Sequence, residues 1–182
     1  MSRLKRLADN YETHIAIPWR DAAAAQRVIF CVYNEADELK LRAKIGEFEL
    51  ATQKKEHRWL HFDLTNTFPD WLSTQKYAAS YYQKPHLLAS LMPKYGDYLQ
   101  QRILEYIQSN KADENTVVAL SGVASLFGLI KVKQVVERVA SDVTGRLLVF
   151  FPGRYENNNF RLLDGYDGWD YHAFVITADK EL

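Results

Sequence analysis

The sequence predicts a single three-layer α/β domain with a mostly parallel sheet and an antiparallel C-terminal hairpin. Three observations predict it. The apolar runs at residues 27–33, 117–120 and 146–151 are hydrophobic on both faces, as expected of strands covered by helices on each side. Between the second and third runs lies a helix-period segment with Val132, Val135, Val136, Val139 and Val143 on one face. That strand–helix–strand order describes a parallel crossover, because two parallel strands need a helix-length connection. After Pro152-Gly153 the chain fills with turn residues and aromatics, which suits a short antiparallel addition.

The elements follow in order. Leu4, Leu7 and Ala8 fall at helical spacing among Arg3, Lys5 and Arg6, giving a short amphipathic helix to about Glu12. The first strand spans 27–33. Asn34 caps the next helix, with Glu35 and Asp37 in its first turn where the helix dipole favours acids. Leu41, Ile45 and Phe48 form its inward face. Residues 58–64 alternate, with Leu60, Phe62 and Leu64 on one face and Trp59, His61 and Asp63 on the other, as in a strand near an edge. Asn66-Thr67 with Pro69 starts a helix whose stripe is Trp71, Ala78 and Tyr82. A helix over 94–109 presents Tyr95, Leu99, Ile103, Tyr106 and Ile107. The strand 116–120 turns through Ser121-Gly122 directly into helix, which Thr144-Gly145 ends. Strand 146–151 stops at Pro152-Gly153. Residues 160–163 and 171–176 are then two strands joined by an Asp/Gly loop.

This divides residues 1–182 into an N-terminal helical segment (1–26), an α/β core (27–151) and a C-terminal hairpin (152–182). Lysine plus arginine equals aspartate plus glutamate, 23 against 23, so the basic excess of a free-standing nucleic-acid binder is missing. The one cysteine, Cys31, excludes an internal disulfide and fits a reducing cytoplasm. Its apolar setting makes it a small buried hydrophobe. The longest near-apolar run, 117–130, is too short and too rich in glycine for a spanning helix, so no membrane is expected.

Catalytic patterns are not met. Gly122 and Gly128 are followed by Val123 and Leu129 where a phosphate-binding loop needs its glycine–lysine pair, and G-x-G-x-x-G and G-x-S-x-G are missing too. Asp164, Asp167 and Asp170 recur every third residue, whereas a calcium loop places acids at alternate positions. Aspartate and glycine there are turn formers. Glu35 is explained by the helix dipole, and His61 with Asp63 lacks a nucleophile in sequence. No catalytic, cofactor or metal residue is therefore assigned. The candidate contact surface is Arg154, Tyr155, Glu156, Arg161, Asp164, Asp167, Trp169 and Asp170, where aromatics and charged groups mix as at an interface rim.

The strings FELAT (48–52), HFDLTNTFPDWL (61–72), GVASLFGLIKV (122–132) and RLLVFFPGRYENNNFRLLDGYDGWDYHA (146–173) resemble the BrxB family, the small B component of BREX bacteriophage-exclusion systems. The last string is the most specific, and the final segment GWDYHAFVIT (168–177) departs modestly from the family pattern at Asp170, His172 and Phe174. The resemblance implies partners among the larger BREX proteins: the phosphatase-like PglZ, the P-loop ATPase BrxC and the methyltransferase PglX. It implies a non-catalytic adaptor or assembly factor without a cofactor, on a core like a Rossmann or nucleoside-triphosphatase fold stripped of its phosphate loop. Direct DNA contact is not expected of the chain alone. Two other readings stay open: a nucleotide sensor or nucleotide-dependent enzyme using Ser121-Gly122, and a DNA-binding module using Arg3, Lys5 and Arg6.

Overall fold

The computed structural model describes residues 2–20 and 22–179. Five strands lie side by side and parallel in the order β2 (Arg58–Asp63), β3 (Thr116–Ser121), β4 (Arg146–Glu156), β1 (Val28–Tyr33) and β7 (Phe174–Ile176). Strands β1 and β3 are buried along their whole length, which is why their residues are apolar on both faces.

Helices α1 (Arg3–Ile15) and α2 (Glu38–Lys54) cover one face. There Leu7, Tyr11, Leu41 and Phe48 pack on Ile29, Cys31, Ala119 and Phe150. The two helices are pinned through Tyr11, whose hydroxyl lies 2.6 Å from Thr52 Oγ1 while that oxygen donates to the Phe48 carbonyl at 2.8 Å. Burial drives the Cys31 thiol far up from its ordinary range and keeps it protonated. On the other face lie α3 (Thr67–Ser73), α5 (Met92–Ser109) and α6 (Val132–Val139). Trp71, Tyr95, Leu99, Ile103 and the α6 valines close over Phe30, Val118, Val149 and Phe151. Each such side chain contributes about 1.5–3 kcal/mol through removal from water.

Several local expectations are corrected. Strand β4 runs through Pro152-Gly153 to Glu156. Its first half pairs parallel with β1 and β3. Its second half pairs antiparallel with β5 (Asn159–Leu162), which pairs with β6 (Gly165–Trp169). A β-carbon on Gly153 would lie 1.9 Å from the Arg161 carbonyl oxygen, so only glycine lets β5 approach there. The Asp/Gly segment is itself a strand, and residues 171–173 form no strand. Phe174–Ile176 leaves the hairpin to join the parallel sheet beside β1. After Ser121-Gly122 the chain makes one 3₁₀ turn, Val123–Leu126, and reaches regular helix only at Val132. The stripe through Trp71, Ala78 and Tyr82 is broken, because α3 ends at Ser73 and the separate helix α4 (Ala78–Gln83) leaves Tyr82 58% exposed.

Candidate functional site

Beyond Pro152 the antiparallel strands β4, β5 and β6 form a meander with two faces. Asn157 and Asn158 take φ of 51° and 62°, the left-handed pair that a two-residue hairpin turn requires. The inner face is aromatic. Tyr155 meets Phe160 at 4.7 Å between ring centroids, and Phe160 stacks on Tyr171 at 4.3 Å with planes 3° apart. Gly168 makes room for that ring, since a β-carbon there would sit 2.3 Å from Tyr171 Cε1. The outer face carries two cross-strand rows, Arg154–Arg161–Tyr166 and Glu156–Asn159–Trp169.

The sequence-derived contact residues divide. Arg154, Glu156, Arg161 and Trp169 lie together on the exposed outer face. Asp164 is exposed in the β5–β6 turn, where its carbonyl accepts from the Arg161 guanidinium. Asp170, half-buried with φ of 49°, has Oδ1 at 3.5 Å from His172 Nδ1. Tyr155 points inward, its hydroxyl donating to Asn158 Oδ1 at 2.8 Å. Asp167 is 6% exposed and turned into the fold. Its carboxylate accepts from the Val132 amide at 3.0 Å, the Lys133 amide at 3.4 Å and the Tyr171 hydroxyl.

Sequence reasoning missed Tyr166 and Phe127, which are 53% and 46% exposed. No two-residue alternation could have revealed Tyr166, because it shares a face with Trp169 only through the register shift of β5 and β6 at Phe160 and Arg161. Lys131 is tied to the meander through Tyr166, its Nζ donating to the Tyr166 carbonyl and lying 5.7 Å from that ring's centre. A groove of about 450 Å³ opens between Phe127, Leu129, Ile130, Gln134 and Tyr166.

Near the carboxyl edge of the parallel sheet, Ser121 ends β3 and His61 lies two residues before the end of the adjacent β2, with Nε2 and Oγ 2.7 Å apart. Burial lowers the pKa of His61, keeping the imidazole neutral. A neutral histidine beside a serine has the chemistry of a general base, yet Ser121 is only 3% exposed, so a substrate does not reach Oγ in this arrangement. Gly122, at φ of 71°, is held against Asp63 and Thr65: an added β-carbon would lie 2.5 Å from Asp63 Oδ1 and 2.4 Å from Thr65 Oγ1. Asp63 accepts from the Thr65 amide at 2.9 Å, and Arg42 Nη2 donates to Thr65 Oγ1 at 2.7 Å. The Ser121-Gly122 turn is thus packed from below by this network.

A crevice of about 310 Å³ lies where the connections after β1 and β4 part, lined by Arg3, Tyr33, Asn34, Asp37, Arg154 and Asp179. Arg3 is 2.9 Å from Asp179 and Lys5 is 3.2 Å from Asp9, so two of the three N-terminal cations have acidic neighbours. Among the described residues no group of His, Cys, Asp or Glu is arranged to hold a metal ion, and no helix is long and apolar enough to cross a membrane.

These features define a three-layer α/β protein that carries exposed aromatic and cationic side chains, Tyr166, Trp169, Arg154 and Arg161, on a β-meander growing out of its central strand. Residues 61–176 match the family model described as BREX protein BrxB, and the chain belongs to the BrxB family. Membership makes it a component of a BREX phage-defence system. No curated protein and no solved structure matches the chain.

Proposed function

We propose that this chain is a non-catalytic adaptor of its BREX system, joining larger subunits in the cytoplasm through the outer face of the meander. One observation carries the reading: Tyr166 and Trp169, each more than half exposed, share that face with Arg154 and Arg161. Exposed large aromatics beside arginines are the composition of interface hot spots. The rows sit on strands rather than a loose loop, so little ordering entropy opposes docking. Glu156, Asp164 and Asp170 fall at the rim, and the groove beside Phe127 gives a partner side chain somewhere to insert. Residues 1–182 act as one unit in this reading, because β4 belongs to both sheets.

Candidate partners are the phosphatase-like PglZ, the ATPase BrxC and the methyltransferase PglX. The test is nuclease-treated affinity purification from cells carrying the whole operon, with wild type beside a Tyr166→Ala, Trp169→Ala double variant. A BREX subunit retained stoichiometrically by wild type and lost by the folded variant is the expected result. Equal retention by both proteins removes the meander from the interface.

A further inference from the structure

At the opposite, amino-terminal edge of the sheet, Val28 lies across from Leu147, which places Arg27 and Arg146 side by side at the starts of neighbouring parallel strands. The backbones there are about 4.8 Å apart. Ile29 and Leu148 pack on the face covered by α1 and α2, so two-residue alternation turns Arg146, the first residue of β4, to that same face, while Arg27 ends the 3₁₀ turn that leads into β1. The Arg146 guanidinium lies over the Trp19 ring at 4.6 Å. His14, in the last turn of α1, stacks on Phe174 at 3.8 Å.

Among the described residues no carboxylate pairs with either arginine. Arg27 Nη1 donates to the Ala22 carbonyl at 3.0 Å and Arg146 Nη1 to the Gly145 carbonyl at 3.1 Å, which are neutral acceptors. Arg27 Nε and His14 Nδ1 are buried and have no hydrogen-bond partner. Buried polar atoms are nearly always paired, so two orphans beside two cations with no carboxylate partner among the described residues call for an explanation. The C-terminal end of α1 offsets about half a unit of charge, well short of two guanidinium groups. Arg27 lowers the pKa of Arg146, and Arg146 lowers that of His14, in each case after burial.

We propose that this edge binds a small phosphate-bearing ligand between Arg27 and Arg146, beneath the last turn of α1. Two adjacent guanidinium forks match a dianion with several acceptor oxygens better than a single carboxylate, and arginine is the side chain suited to that geometry. Trp19, held against His57 at 3.7 Å, fixes the Arg146 fork before a ligand arrives. The site lies at the end of the sheet opposite the meander, so it is independent of the adaptor surface.

The experiment follows thermal unfolding of the full chain in phosphate and in ribose 5-phosphate, each against chloride at matched ionic strength. A Tm that rises and saturates in wild type is expected, because a ligand that binds the native state stabilises it by mass action. Arg27→Gln and Arg146→Gln lose the rise, whereas Arg146→Lys keeps the charge and a reduced rise. Phosphorus NMR on wild type reads binding directly, as line broadening that chloride does not reverse at constant ionic strength, and needs no variant to fold. Absence of broadening overturns the proposal, as does a Tm rise shared equally by both glutamine variants. A short DNA duplex that shifts Tm through these arginines where both small phosphates fail overturns it too, since the ligand is then nucleic acid.

Discussion

Asp167 caps α6 from a neighbouring strand: its carboxylate accepts from the Val132 amide at 3.0 Å, across 35 residues of sequence. The same side chain takes the Tyr171 hydroxyl, so one buried acid fastens the meander to the helix and to the aromatic core. Hydrogen bonding to Asp167 adds to burial in driving the Tyr171 hydroxyl far up from its ordinary range. Asp167→Ala strands two helix-end amides and a buried hydroxyl. It is expected to lower stability by about 1–3 kcal/mol, read as a shift of the urea midpoint without a change in slope. Asp167→Asn, which still accepts, is expected to lose less.

Gly168 is predicted to be intolerant of even one methyl group. A β-carbon 2.3 Å from Tyr171 Cε1 forces the ring out of its stack on Phe160. Gly168→Ala is expected to cost about 1–3 kcal/mol as overpacking. The double variant with Tyr171→Ala is expected to show a coupling of the opposite sign, since the clash is gone, and a double-mutant cycle measures it.

The acid limb of stability is expected to depend on His14. Burial lowers its folded pKa from 6.5 to about 4, with Arg146 adding to the shift. Below pH 6.5 the unfolded chain takes up the proton and the folded chain does not, so stability is full above that pH and falls as pH drops toward 4. His61, also lowered by burial, acts in the same direction. His14→Phe keeps a ring on Phe174 and removes the titration. Its urea midpoint is expected to vary less between pH 7.5 and 5 than that of wild type.

Ser121→Ala separates a structural serine from a chemical one. Removing Oγ leaves the His61 imidazole without its 2.7 Å partner, for an expected loss of about 1 kcal/mol. Phage protection, scored as efficiency of plating, is expected to be unchanged. A collapse of protection in a variant that still folds would reveal a nucleophile.

The outer aromatic residues are expected to matter little for folding. Tyr166→Ala and Trp169→Ala each remove a side chain more than half in water, so unfolding free energies should stay within about 0.5 kcal/mol of wild type. That neutrality is what makes them clean probes of binding.

The core was legible because its strands carry continuous apolar runs: residues 117–120 and 147–151 are buried neighbours in the parallel sheet. The meander was misread at the segment Gly165–Trp169, because Asp and Gly normally mark turns. Here Gly168 yields space to Tyr171 and Asp167 caps a helix, so both serve packing within a strand. The exposed set of Arg154, Glu156, Arg161 and Trp169 was legible in composition, whereas the inward turn of Tyr155 and Asp167 depended on strand register. The His61–Ser121 and Arg27–Arg146 neighbours were out of reach for another reason. Each pair is created by adjacency of distant strands, β2 with β3 and β1 with β4, which local periodicity does not encode.

Strand β4 belongs to the parallel sheet in its first half and to the meander in its second, with no break between them. Tension applied to the proposed docking face would therefore pass straight down that strand as shear on the ladders it shares with β1 and β3. A copy whose central sheet has not formed has no rigid stem on which to display Tyr166 and Trp169. Under the adaptor proposal, recruitment would then double as an inspection step, admitting mature chains and leaving unfinished ones behind.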